Sequence, residues 1–129
     1  IDADAEAFAP LSRAYGIPKD DPARAEIMEA ALKRAAEPPL EIMRRCAAAL
    51  DVIADYAAKG SALAISDAGC AAALTIAAMK AAALNVRINT KSMADREAAD
   101  KMNAEAAGLY EKYEKEAEEI YQNVYGRLV

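Results

Sequence analysis

The chain has 129 residues, 55% of them apolar and 29% charged, with a net charge of −5, a balance that indicates one globular domain and excludes disorder. The acidic charge, without a basic stripe or an aromatic platform, argues against a nucleic-acid partner, which would need Lys and Arg to displace phosphate counterions. Histidine is absent, which removes serine-histidine triads, histidine-bound zinc and histidine acid/base pairs, so catalysis here must use carboxylates, Lys, Tyr, Cys or backbone dipoles.

The apolar share is mostly alanine, the best helix former and small enough to let helices approach closely. The opening IDADAEAFAPLSRAY places Ile1, Phe8, Leu11 and Tyr15 on one helical face. Asp4 falls in the vacant place of that stripe. It is either a carboxylate at the edge of a site that needs a charge, or one solvated in a frayed first turn, because burying it unpaired would be costly. Asp2 and Glu6 lie off the stripe and are expected at the surface. Pro10 should kink this helix, and Gly16 of GIPKDDP should end it as a left-handed C-cap. Lys19 on that loop is either a solvated cation or the holder of an anionic ligand. Asp21 reads as an N-cap with Pro22 at the first helical position, starting a second helix that runs to about Ala36 and is closed by EPP. Pro39 starts a third, whose stripe is Leu40, Met43, Ala47, Leu50, Ala54 and Ala57 and whose end is Gly60.

After the short loop SALAI, the segment SDAGCAAALTIAAMKAAALNVRIN is apolar around nearly its whole circumference, which predicts a central, buried helix. Lys80 and the many alanines make a membrane span the weaker reading, so no membrane partner is expected. Ser66 and Asp67 open this helix as a cap and a dipole partner. Asn85 and Asn89, one turn apart at its far end, either cap carbonyls or read a hydrogen-bonding ligand. Asp67 and Asn85 are separated by about 27 Å of helical rise and so would meet only across a two-fold axis between antiparallel helices. Ser92 and Asp95 resemble a capping box for a long last helix with the stripe Met102, Leu109, Tyr113, Ile120 and Val124, and KYEKEAEE is its solvated face. No stretch alternates with period two. The expectation is all-α: a single domain over residues 1–129, an up-and-down bundle of about five helices with a buried one at its centre. Cys46 and Cys70 have no ligand spacing and are expected to be buried in a reducing cytoplasm; no metal site is expected. The first residue is Ile1, so a processed or partial chain is expected.

The strings DADAEAF, AYGIPK, EPPL, ISDAG and AALNVRIN, in this order, and IYQNVYGRLV at the C-terminus resemble the formiminotetrahydrofolate cyclodeaminase/methenyltetrahydrofolate cyclohydrolase family. AYGIPK and ISDAG look closest to the free-standing bacterial cyclohydrolases. The resemblance covers roughly the C-terminal two thirds of a family member; the N-terminal helices with a Pro-Gly-Gly-Gly stretch are missing, and Gly60-Ser61 stands where members usually have Gly-Asn. It implies a cytoplasmic, all-helical homodimer that acts on the one-carbon unit bridging N5 and N10 of tetrahydrofolate, with no cofactor beyond that substrate. The cyclohydrolase hydrates 5,10-methenyltetrahydrofolate to 10-formyltetrahydrofolate; the alternative is the cyclodeaminase, which closes 5-formiminotetrahydrofolate and expels ammonia. A non-catalytic helical dimerisation module is the reading outside the enzyme class. Asp4, matching the family's D-x-x-A-F pattern, is implied as general acid/base or cation stabiliser. Ser66 and Asp67 would line the pterin pocket and Lys19 would lie near the glutamate tail, with Asn85 and Asn89 as structural or ligand-binding amides.

Overall fold

The computed structural model describes residues 2–61 and 64–128, and among them it contains four helices and no strand: α1 (Asp2–Tyr15), α2 (Arg24–Lys59), α3 (Ile65–Thr90) and α4 (Arg96–Leu128). Helix α3 lies between α2 and α4, and α1 packs along α2. The main core joins Leu40, Met43, Ala47 and Leu50 of α2 to Ala72, Met79 and Val86 of α3 and to Tyr113, Ile120 and Val124 of α4. In α2 and α4 these residues belong to the stripes that the sequence periodicity predicts; for α3 no single stripe is predicted. A second cluster gathers Leu11 and Ala14 of α1, Ala31, Leu32 and Ala35 of α2, Met93 and Ala99. Alanine sets the spacing: α3 approaches α4 so closely that a β-carbon at Gly69 would lie 3.0 Å from a methyl of Val124.

Four helices stand where five were expected, because the predicted second and third run on as one through Pro38 and Pro39. A proline inside a helix removes an N–H and crowds the carbonyl four residues earlier. Here the core holds the chain helical on both sides, with Ala31, Leu32, Ala35 and Ala36 buried before the prolines and Leu40 and Met43 after them. The carbonyl that Pro39 leaves without its N–H belongs to Ala35, and the side-chain amide of Asn89 donates to it at 3.2 Å. A neighbouring helix thus replaces a backbone bond that proline cannot make.

Helix ends depart from the expected signals. Neither Gly16 nor Gly60 takes a left-handed conformation: no described glycine has positive φ, and Gly60 is extended at φ −69°, ψ 160°. Glycine is required at 60 for a different reason, since a β-carbon there would meet the Tyr56 carbonyl at 2.6 Å. Asp21 caps a turn, accepting from the Ala23 N–H at 2.9 Å, and α2 begins at Arg24, two residues later than the expected first position at Pro22. Helix α4 is capped by Asp95 itself, which accepts the Ala98 N–H at 3.0 Å; Ser92 remains in the preceding turn. Ala98 first, and then the Lys33 ammonium at 2.7 Å, hold the Asp95 carboxyl below the usual carboxylate range.

Two apolar faces also differ. Phe8 and Tyr15 of α1 are 55% and 59% exposed, while Ala7, Leu11 and Ala14 are buried, because the close seam with α2 admits alanines and not rings. Ile1, the first member of the expected stripe, lies outside the described residues, as do Ala62 and Leu63 of the SALAI loop. Helix α3 is central but not enclosed. Its outer face leaves Leu74, Leu84 and Ile88 72%, 73% and 66% exposed, because α2 and α4 cover only two of its sides. Cys70 is exposed on the same face and Cys46 is half-buried, so only Cys46 approaches the expected packing role. Burial pushes the Cys46 thiol up, which keeps it protonated and inert.

Candidate functional site

The residues singled out from the sequence fall at three places. Asp4 lies in the first turn of α1, where residues 2–6 are all exposed. By spacing it continues the buried line of Ala7, Leu11 and Ala14, yet it stands clear of the packed seam. Lys19 is exposed on the loop between α1 and α2. Ser66 and Asp67 are exposed in the first turn of α3, where the N-cap is Ala64 and no side chain caps the helix. Ser66 therefore does not act as the expected cap.

Asp67 borders an apolar groove of about 270 Å³ formed with Val52, Ile53 and Tyr56 of α2 and Ala68 and Ala71 of its own helix. A carboxylate at the rim of an apolar trough suits a ligand with a flat apolar body and a hydrogen-bond donor at its edge. At the opposite end of α3, the Asn85 amide donates to the Ala81 carbonyl at 3.0 Å, and Asn89 donates to the Asn85 carbonyl at 2.9 Å as well as to Ala35. Both donors of Asn89 are thus engaged in holding backbone, which is the structural role of the two the sequence allowed. Within one chain Asp67 and Asn85 do not meet, and Asp4 is on a helix that shares no packed face with α3 among the described residues.

The structure brings Glu114 and Glu118, expected on a solvated face, together with Lys80 of α3. A groove of about 410 Å³ between α3 and α4 is bordered by Lys80, Glu114, Glu118 and Tyr121 over a floor that includes Ala77 and Ala117. The Lys80 ammonium is 3.1 Å from Glu114 Oε1, the Tyr110 hydroxyl donates to the same oxygen at 2.5 Å, and Lys80 Nζ lies 5.6 Å from the centre of the Tyr110 ring. Tyr110 and then Lys80 hold the Glu114 carboxyl below its ordinary range, whereas the hydrogen bond to Glu114 raises Tyr110 and Lys80 above theirs. At neutral pH the cluster therefore holds an ionised carboxylate, a charged ammonium and a neutral phenol. Tyr110, Glu114 and Glu118 recur every four residues, so the sequence carried a signal that they share one face. It carried none that Lys80 of another helix faces them.

Comparison with known proteins gives concordant matches. A sequence model of the formiminotransferase-cyclodeaminase family matches residues 1–108. A methenyltetrahydrofolate cyclohydrolase of Methylorubrum extorquens is 37% identical across 97% of this chain and 62% of its own length. The crystal structure of a formiminotetrahydrofolate cyclodeaminase from Thermotoga maritima superposes with a TM-score of 0.77 at 28% identity, covering 98% of this chain and 59% of that one. The chain spans less than two thirds of either relative.

Proposed function

Because the chain belongs to the formiminotransferase-cyclodeaminase family, we propose that it acts in a methenyltetrahydrofolate cyclohydrolase, converting 5,10-methenyltetrahydrofolate and water to 10-formyltetrahydrofolate. The observation that carries this reading is the similarity to the Methylorubrum extorquens cyclohydrolase along nearly the whole chain. The chemistry agrees with a chain that has no histidine. Water adds its oxygen to the cationic carbon between N5 and N10 while an ionised carboxylate accepts the water proton. The tetrahedral carbon then collapses, its bond to N5 breaks, and N5 ends protonated. A carboxylate near the amidinium also stabilises its charge before attack.

In this reading Asp4 is the carboxylate, because it matches the family's D-x-x-A-F pattern; Ser66 and Asp67 contact the pterin edge and Lys19 the glutamate carboxylates. Asn85 is a ligand-binding amide, and Asn89 contributes by holding α2 in place. These residues stand at separated places in one chain, which motivates a homodimer in which an antiparallel α3 pair sets Asp67 of one copy beside Asn85 of the other. The exposed apolar face of α3 supports that pairing. No cofactor beyond the folate is invoked, the location is cytoplasmic, and neither a membrane nor nucleic acid is a partner. The second reading, the cyclodeaminase, is favoured by the structural match to the Thermotoga maritima enzyme.

The test is ligand-induced stabilisation of the intact protein. Adding 5,10-methenyltetrahydrofolate should raise the melting temperature, because a ligand that binds only the native state must stabilise it. Asp4→Asn should preserve that rise while cutting turnover, since an amide keeps the shape and loses the charge and the proton. No rise at saturating folate would remove the basis of both enzyme readings.

A further inference from the structure

We propose that Met93, on the turn between α3 and α4, is a positioning residue that sets the tilt of α1 and thereby the place of the Asp4 carboxylate at its start. This rests on the folate reading above, in which Asp4 acts on the one-carbon bridge.

Helix α1 is the most thinly anchored of the four. Its buried residues are Ala7, Leu11 and Ala14, a line with one large side chain, whereas the other helices bury longer stripes. Phe8 and Tyr15 add nothing to its hold, because both stand largely exposed. Among the described helices α1 packs along α2 alone. The cluster that encloses Leu11 and Ala14 is filled by Leu32 of α2 and by Met93, and its remaining members are alanines. Met93 is thus the one bulky side chain in that cluster that comes from neither α1 nor α2, and it is buried.

The backbone around Met93 is fixed more firmly than the start of α4 requires. Asp95 already caps that helix through the Ala98 N–H. In addition, the Glu29 carboxylate of α2 accepts the Ala94 and Asp95 N–H groups at 2.6 and 3.1 Å. Arg96 donates to the Thr90 and Met93 carbonyls at 3.0 and 3.2 Å, and the Met93 N–H donates to the Thr90 carbonyl at 3.2 Å. Lys33 of α2 binds Asp95 at 2.7 Å. Charged side chains on either side of Met93 therefore pin the turn to α2 and hold the thioether in the cluster. Asp4 lies two helical turns, about 10 Å, from Leu11. A tilt of about 5° at Leu11 would move Asp4 by about 1 Å, a displacement that can cost a reaction about a hundredfold.

The experiment combines hydrogen exchange with turnover of 5,10-methenyltetrahydrofolate in the intact protein. Met93→Ala should speed amide exchange in α1 about tenfold while the other helices keep their parent rates. It should also cut kcat by about tenfold or more and leave KM within about twofold. Met93→Leu, of similar volume, should restore both properties. On an Asp4→Asn background, Met93→Ala should lower kcat no further, because the two act through one carboxylate. Glu29→Gln frees the turn without opening the core, and it should shift α1 exchange and kcat in the same direction even if Met93→Ala does not fold. Unchanged α1 exchange in the variants overturns the positioning role and leaves the folate reading intact. Exchange raised equally in all four helices, or a kcat loss that adds to that of Asp4→Asn, makes Met93 an ordinary core residue and overturns the role as well. A parent protein inactive on 5,10-methenyltetrahydrofolate overturns the folate reading, and the part of Met93 in catalysis with it.

Discussion

Asn89 shows how one side chain can decide whether a helix survives its own sequence. The Ala35 carbonyl is deprived of its intrahelical donor by Pro39, and the side-chain group that restores it among the described residues is an amide 54 residues further along the chain. An unsatisfied buried acceptor costs about 1–3 kcal/mol, so Asn89→Ala should destabilise the protein by that amount. The same substitution made on a Pro39→Ala background should cost less, because alanine returns an N–H to position 39. Chemical denaturation of the four proteins measures the coupling; additive effects would mean that Asn89 acts independently of the proline. Asn85 and Asn89 look alike in the sequence, one turn apart at the end of an apolar helix, and only the partner on α2 identifies Asn89 as a structural strut.

At the scale of the element, the helices are alanine-rich and their glycines separate two effects. Gly108 of α4 is exposed, and a β-carbon there would meet nothing within 4 Å. Gly108→Ala should therefore stabilise by about 0.5–1 kcal/mol through helix propensity alone. Gly69 of α3 is buried, and a β-carbon there would lie 3.0 Å from Val124 Cγ1 and 3.3 Å from Val124 Cβ. In Gly69→Ala the same propensity gain is opposed by an overpacking cost of about 1–3 kcal/mol, so the net effect should be destabilising. Equal gains at both positions in thermal denaturation would show that the α3–α4 seam is looser than the structure has it.

How much of these elements was legible follows from the kind of signal each carried. The stripes of Leu40, Met43, Ala47 and Leu50 and of Tyr113, Ile120 and Val124 were readable because helical periodicity is local. The prolines were misread as a break because the compensating donor is distant in sequence. Gly60 was misread as a left-handed cap because a close carbonyl demands glycine just as well as a positive φ does; at Gly16 a β-carbon would lie 3.3 Å from the Arg13 carbonyl, so no such demand exists there. Phe8 and Tyr15 outranked Ala7 and Ala14 by hydrophobicity, but a close seam selects small residues. In the candidate site, stripe, loop and helix-start positions drew attention to Asp4, Lys19, Ser66 and Asp67, but only the family resemblance offered them roles, and KYEKEAEE was read as solvated because Lys80 is on another helix.

At the scale of the whole molecule, α3 has the composition of a core helix but a core on two sides only. Cys70, Leu74, Ala77, Ala81, Leu84 and Ile88 follow one another at steps of three and four along its exposed face, and Val52 and Tyr56 of α2 add to the apolar surface at one end. A contiguous apolar face of this kind marks an interface. The intact protein should therefore be a dimer by light scattering, and Leu74→Glu with Leu84→Glu should shift it toward monomer while its helical circular dichroism persists. A stable monomer in the parent protein would contradict the pairing that brings Asp67 and Asn85 together.

The proposed cyclohydrolase activity separates from the cyclodeaminase alternative by its chemistry. The cyclodeaminase must protonate departing ammonia, whereas the cyclohydrolase must deprotonate attacking water, so the two need opposite protonation states of the same group at the start. An ionised carboxylate in a chain without histidine serves the second directly. The measurement gives the intact enzyme 5,10-methenyltetrahydrofolate and 5-formiminotetrahydrofolate separately and follows the absorbance of the methenyl group. It should fall with the first substrate faster than the uncatalysed rate and stay flat with the second. A rise with 5-formiminotetrahydrofolate, together with an uncatalysed rate on the methenyl compound, would contradict the cyclohydrolase assignment and establish the cyclodeaminase in its place.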